Sequence, residues 1–420
     1  MSSERRIVVT GLGAVSSVGN NVCDIWNALL EGRSGIAPVT RFDASSLRCR
    51  IAGEVKGLDL DANLTVKEQK RLDPFCHFAV VAGDEALKDA GIIDSVADGA
   101  AEGIDVERVG VLVSSGIGGL QSISEQVKVM EERGADRVSP MLVPMMISDM
   151  ASGFLAIRYG FMGPNFGIVS ACASGLHSIG EAYWIIRRGD ADVMLAGGAE
   201  AGVVRIGQAG FSSMHALSER NDEPEMASRP FDRDRDGFVP AEGAGVLVLE
   251  EEEHAKRRGA RIYAEVVGYG LSADAHHITA PRDDAKGASA AIRNAFRCAG
   301  LPFEELSYIN AHGTSTPMND KCETAAIKLA LGEHARRTAI SSTKSMTGHM
   351  LGAAGGFESV VCVKAIETGC VPPTINQFNP DPNCDLDYVP NTMREIPVGL
   401  ALNLNFGFGG HNAAVLFRKY

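Results

Sequence analysis

The chain has 420 residues, 45% of them hydrophobic and 22% charged, a globular balance with room for two domains or one duplicated fold. A net charge of −13 leaves no overall basic footprint for nucleic acid. No apolar run approaches the about 18 residues of a membrane span, and the polar start MSSERR enters a strand-like run without a signal-peptide pattern, so a cytoplasmic location is expected.

RRIVVTGLG reads as a strand, followed by helices near 21–31 and over 75–90. Between those helices, VKEQKRLD groups Lys67, Lys70 and Arg71 into a local basic patch on which an acidic partner can dock; a solvated helix face is the plainer reading. VGVLVSSGIGG, FGIVSACASG and DVMLAGGAEAG are buried-strand candidates, each ending in small residues. The charge-rich, proline-containing stretch 219–236 is expected to be a surface insertion. GAGVLVLEEEEHAKRRG is a strand running into a charged segment.

The order restarts after about residue 258. RIYAEVVGYGLSAD is a strand and 285–299 a helix; LSYINAHGTST is a strand ending in a loop and 319–331 a helix. AISSTKSMTGH repeats strand into loop, 352–368 is helical, and LNLNFGFGGHNAAVLF closes with two strands about a glycine turn. Such alternation argues for an α/β layered fold with helices covering the sheet. The repeated order argues for an internal duplication, with halves 1–258 and 259–420.

Nine cysteines, irregularly spaced and without a C-x-x-C pair, make neither a disulfide framework nor a zinc signature, and they suit a reducing compartment. Cys172 is set apart by its position. It follows a strand expected over Phe166 to Val169 and precedes a helical pattern of Leu176, Ile179, Tyr183 and Ile186. At such a corner the helix N–H groups favour a thiolate, which predicts a lowered thiol pKa, and the same groups can stabilise an oxyanion. A buried, inert cysteine is the plainer alternative.

The second half changes that balance. His312 lies in NAHGTSTP and Lys344 and His349 in SSTKSMTGH, each loop at the end of a strand, where side chains of an α/β fold converge on one pocket. Neutral imidazoles can donate to a thioester oxygen and stabilise an enolate, and a partly buried Lys344 would tune them. No H-x-x-x-H pattern points to zinc, and no metal or redox cofactor is expected. In Phe406-Gly407-Phe408-Gly409-Gly410 a backbone N–H can complete an oxyanion hole with that of Cys172, and Phe408 can gate an apolar channel.

Taken together, VVTGLGAVSSVG, SACASGLHSIGEA, SRPFDRDRDGFVPAEGAGVLVLE, INAHGTSTPMND, STKSMTGHMLGAAGGFE and NFGFGGHN give a chain that resembles the beta-ketoacyl-acyl-carrier-protein synthases of fatty-acid elongation, within the thiolase superfamily. The resemblance implies a thiolase-like duplicated five-layered αβαβα fold, a homodimer, and a Cys-His-His centre of Cys172, His312 and His349 with Lys344 in support. It implies supporting roles for Asp320, Glu323 and Glu358. It implies contacts to the phosphopantetheine arm of an acyl carrier protein from Thr314 and Thr316, and substrate contacts from Thr279, Ile117, Phe211 and the gating Phe408. Ile117 matches the type II, long-chain-accepting subgroup. Two positions depart from the pattern: His411, where many bacterial members carry Thr, and His215, where an Arg often helps dock the carrier. A thiolase is disfavoured, because NFGFGGHN lacks its second cysteine. A polyketide-type ketosynthase and a non-catalytic chain-length-factor-like partner are the remaining alternatives.

Overall fold

The computed structural model describes residues 5–94 and 99–420; the polar tail at 1–4 lies outside the described residues. Among the described residues, nine strands form one hydrogen-bonded sheet. In chain order they are β1 Ile7–Val15, β2 Val109–Ser114, β3 Val193–Glu200, β4 Gly243–Glu251, β5 Ala264–Ala273, β6 Tyr308–Asn310, β7 Ala339–Ser341, β8 Leu400–Gly407 and β9 His411–Lys419. Across the sheet they run β2-β3-β4-β1-β5-β9-β8-β6-β7.

The seam between β1 and β5 is short, pairing Ile7–Val9 with Ala264–Val266. Outward from it the two sides mirror each other. β1, β4 and β3 are joined antiparallel and β3 meets β2 in parallel; β5, β9 and β8 are joined antiparallel and β8 meets β6 in parallel. Where the second side adds β7, the first has a single parallel bridge, Val111 to Asn165. The strand expected over Phe166 to Val169 is therefore not formed: among the described residues this segment has no ladder beyond that one bridge.

Five helices set the layers: α1 Pro74–Asp89, α2 Ser174–Arg188, α3 Lys286–Ala299, α4 Pro317–Leu331 and α5 Ala354–Thr368. α1 and α4 begin on side-chain caps, Asp73 and Thr316, each followed by proline in the first turn. α2 and α5 end on left-handed Gly189 and Gly369.

The strands sort their side chains by alternation. In β4, Leu247 and Leu249 face the central core shared with α2 and α5, while Val246 and Val248 face the outer core with α1. In β9, Val415 and Phe417 face the central core, while Ala414 and Leu416 face the outer core with α3 and α4. Two helices thus lie between the halves and others cover the outside, which is the layered arrangement the alternation predicts. Bare glycine lets the two central helices meet at their N-termini: a Cβ on Gly355 would stand 2.4 Å from the Leu176 nitrogen. Each is entered by the same backbone device, a positive-φ residue three places ahead of the helix, Ala171 (φ 51) and Leu351 (φ 49).

Only the first part of 219–236 is the surface insertion expected of it: 219–226 holds no buried residue, but the chain then turns inward. Arg229, Phe231, Asp232 and Arg235 are buried. Their charges are matched inside: Arg229 Nε donates to Asp232 at 3.0 Å, and Arg235 Nη1 to Asp381 at 2.7 Å, with Asp320 3.4 Å from its Nε. A charge-rich segment reads as solvated only while its partners, distant in sequence, are unknown.

Candidate active site

Cys172 stands in the single 3-10 turn that leads into α2 and is 8% exposed. Its sulfur lies 3.1 Å from His349 Nε2. The N–H groups of Cys172 and Phe408 both face it. Phe408 comes this close because Gly407 has no side chain; a Cβ there would meet the Ser170 carbonyl oxygen at 2.4 Å and the Cys172 nitrogen at 3.3 Å. The helix-corner argument for a lowered pKa is overturned. Burial pushes the thiol up to about 12, and the Lys344 charge and the two N–H groups only partly oppose it.

His349 follows the short helix that begins at Lys344. The Leu351 N–H donates to His349 Nδ1 at 3.3 Å, so the imidazole proton resides on Nε2, facing sulfur. His312 sits at the end of β6, its ring 5.3 Å from that of His349 and nearly perpendicular to it. Glu323 of α4 clamps the loop, accepting the N–H groups of His312 and Gly313, each at 2.7 Å. Burial, then the Lys344 charge, hold both histidines well below the ordinary value, so both are neutral near pH 7.

Lys344 is 1% exposed and pairs with Glu358 of α5, whose other oxygen accepts from Asn405 at 2.7 Å. The lysine is therefore fully enclosed. Asp320 accepts the Phe231 N–H at 2.8 Å and sits against Arg235, so it holds the 219–236 segment, not the histidines directly.

The three groups open into one cavity of about 490 Å³, within the range of small-molecule sites. Thr314, Thr316, Thr279, Ile117, Phe211 and Phe408 all line it. Thr314 and Thr316 share a hydroxyl contact at 3.0 Å. Phe211 stacks edge-on against Phe238, which does the same to His349. His215 is on the wall with Arg48 Nη1 3.0 Å from its Nδ1; His411 is exposed and does not line the cavity. Lys67, Lys70 and Arg71 are exposed on and after the capped helix Val66–Gln69, and none lines the cavity. Phe406 of the glycine-turn element lines it as well, while Leu351 and Asp274 line it and escape the sequence reading; Asp274, just past β5, and Asn412 of β9 are 2.8 Å apart, a pairing only the fold makes.

Mirrored half-sheets closing over two central helices, with a cysteine at the head of one of them, make this a protein of the thiolase-like class. A profile of the beta-ketoacyl synthase N-terminal domain matches residues 4–255, and one of the C-terminal domain matches residues 263–378. The chain belongs to the beta-ketoacyl synthase family. A 3-oxoacyl-[acyl-carrier-protein] synthase 2 of Synechocystis sp. is 53% identical over 417 residues, and one of Coxiella burnetii 48% over 416, each match covering 99% of both chains. Among solved structures, a beta-ketoacyl synthase from Burkholderia phymatum superposes with a TM-score of 0.91 at 36% identity, over 99% of this chain and 100% of that one. A type II PKS acyl-carrier protein in complex with its ketosynthase bound to the hexaketide gives 0.90 at 36%, over the whole of both chains.

Proposed function

We infer that the chain is a 3-oxoacyl-acyl-carrier-protein synthase of type II fatty acid synthesis, which condenses a Cys172-bound acyl group with malonyl-carrier and lengthens it by two carbons. The carrying observation is the 3.1 Å contact of Cys172 with His349 Nε2 inside an apolar-walled cavity that also holds His312. The full-length relatives bearing that activity name support the fatty-acid reading over the polyketide one.

Cys172 Sγ attacks the acyl thioester carbonyl. The oxyanion is received by the N–H groups of Cys172 and Phe408, and the carrier's phosphopantetheine sulfur departs with the proton that Cys172 gives up, leaving the acyl group on the Cys172 sulfur. Malonyl-carrier then enters. Its carboxylate leaves as CO₂, and the electron pair passes to the thioester oxygen as an enolate held by N–H donors of His312 and His349. The enolate carbon attacks the acyl-cysteine carbonyl, and the C–S bond breaks to free Cys172 and the beta-ketoacyl-carrier. The reading draws on no metal or redox cofactor; Thr314 and Thr316 meet the pantetheine arm. Carrier docking falls to Lys67, Lys70 and Arg71, with Arg48 beside His215 adding positive charge at the cavity wall. The chain pairs as a homodimer in a reducing, cytoplasmic setting, with the unladdered 166–169 edge, where Phe166 and Val169 are 44% and 59% exposed, offered to a second copy.

The test is reconstitution: acyl-carriers of graded length with malonyl-carrier should yield CO₂ and beta-ketoacyl product in equal amounts. Acyl-enzyme formation without CO₂ release would overturn the assignment. Limiting iodoacetamide followed by mass spectrometry should show activity loss tracking the Cys172 adduct alone, although exposed Cys23 reacts readily. Loss that tracks Cys322 or Cys370 instead would remove Cys172 from its role.

Chain length supplies another expected result. Each buried CH₂ of an acyl chain contributes about 0.8 kcal/mol, so longer chains are favoured until they meet an obstruction. Ile117→Phe should place one there, at a cost of about 1–3 kcal/mol, or roughly 5- to 150-fold, for long chains and little for short ones. Transacylation rates across chain lengths measure it, and a uniform loss would mark Ile117 as ordinary packing.

A further inference from the structure

β3 ends on Glu200, a carboxylate with no solvent exposure. One of its oxygens accepts from Ser115 Oγ at 2.6 Å and from the Ile117 N–H at 3.3 Å. The other accepts from the Gly116 N–H at 2.8 Å and the Gly352 N–H at 3.0 Å. Three of these donors belong to the loop that carries Ile117 into the cavity. The fourth belongs to the turn behind His349. That turn has little slack: Leu351 is at φ 49, and a Cβ on Gly352 would stand 2.3 Å from the Gly116 nitrogen and 2.7 Å from Glu200.

Resting on the condensing-enzyme reading, the geometry points to Glu200 as a positioning residue that holds the acyl-pocket loop and the His349 turn in register through one carboxylate. The link to chemistry is the peptide between Leu351 and Gly352. Its Gly352 N–H is anchored on Glu200, and the preceding Leu351 N–H is the donor that His349 Nδ1 accepts. Without the carboxylate this peptide loses the acceptor that fixes its orientation. His349 Nδ1 then loses its donor, and the imidazole proton is no longer confined to the nitrogen facing Cys172. The same loss releases the backbone on either side of Ile117. Selection of the acyl chain and decarboxylation are thus tied to one buried group. Glu200 also acts through space: burial raises its own carboxyl to about 7, and above that pH its charge opposes that of Lys344 at the Cys172 sulfur, which His349 touches directly.

The test compares wild-type protein with Glu200→Ala and Glu200→Gln. Alanine removes all four acceptor contacts. Glutamine keeps the shape and so guards against simple misfolding, but its one oxygen cannot serve both pairs of donors, and its NH₂ turns against an N–H of the other pair. Three quantities are read: CO₂ release from malonyl-carrier, acyl transfer to Cys172 from short and long acyl-carriers, and the pH profile of Cys172 alkylation. CO₂ release relative to acyl transfer should fall about tenfold in Glu200→Ala, the scale for stranding buried hydrogen-bonding groups, and by a smaller factor in Glu200→Gln. Both variants should lose part of the preference between short and long chains. In Glu200→Gln the alkylation profile should move to lower pH, because a negative neighbour has gone. Equal loss of both half-reactions at every chain length, with an unmoved alkylation profile, would reduce Glu200 to a structural residue and overturn the inference. Absence of CO₂ release by the wild-type protein would instead overturn the condensing-enzyme reading itself.

Discussion

Replacing His349 or His312 by alanine is expected to cut CO₂ release from malonyl-carrier about 100-fold or more, while acyl transfer to Cys172 remains measurable. Decarboxylation places a full negative charge on the thioester oxygen, and the two imidazoles are neutral side-chain N–H donors that line the same cavity as the sulfur. Acyl transfer draws instead on backbone N–H groups, those of Cys172 and Phe408, which neither substitution removes. The His349 variant should also alter Cys172 alkylation, since Nε2 touches the sulfur; the His312 variant should not to the same degree. Glutamine at either position keeps an N–H donor and should restore part of the rate. The pH dependence follows from the shifts. Both histidines are held well below their ordinary value, so they stay neutral as pH falls through about 6.5, and CO₂ release should not decline there. A variant that releases CO₂ normally would take its histidine out of the mechanism.

Lys344→Ala is expected to cost both activity and stability. The ammonium and Glu358 are each about 1% exposed and paired, so removing the cation leaves a carboxylate deep in the central core with Asn405 as its remaining side-chain partner among the described residues. Breaking such a pair typically costs about 3–5 kcal/mol. Burial already raises the Glu358 pKa, and Lys344 is the largest influence opposing it. In the variant it rises further. A carboxyl whose folded value lies above its unfolded one is tolerated while protonated and penalised once it must ionise. The deficit should therefore be small below the ordinary glutamate value of about 4.3 and grow as pH rises above it. Denaturant melts of wild type and variant at several pH values measure this. A deficit independent of pH would mean that Glu358 does not carry the cost. Activity should fall as well, because the Lys344 charge favours the ionised form of Cys172 and bears on both histidines.

Read from the chain alone, the alternation of strand and helix, the restart after about residue 258 and the small-residue loops carrying Cys172, His312, Lys344 and His349 were all legible. These features are local. A strand-to-helix corner needs small residues next to it in sequence, and hydrophobic period distinguishes the elements on either side. What failed depended on partners far along the chain. The 219–236 segment looked solvated because Arg235 finds Asp381 and Asp320 only in the fold. Glu200 passed unnoticed in DVMLAGGAEAG because its four donors come from residues 115–117 and 352. A lone acidic residue closing an apolar strand was the available signal.

Which residues the site draws on, and which layered architecture presents them, can be read from the chain because motif spacing and periodicity are properties of neighbouring residues. Their electrical state comes from the folded packing around them. Enclosure by two half-sheets and two central helices raises the Cys172 thiol where the helix corner alone predicted the opposite, keeps both histidines neutral, and forces Lys344 onto Glu358. Desolvation is set by everything packed around a group, and the residues that wall this site come from both halves of the chain, from Gly116 to Asn412.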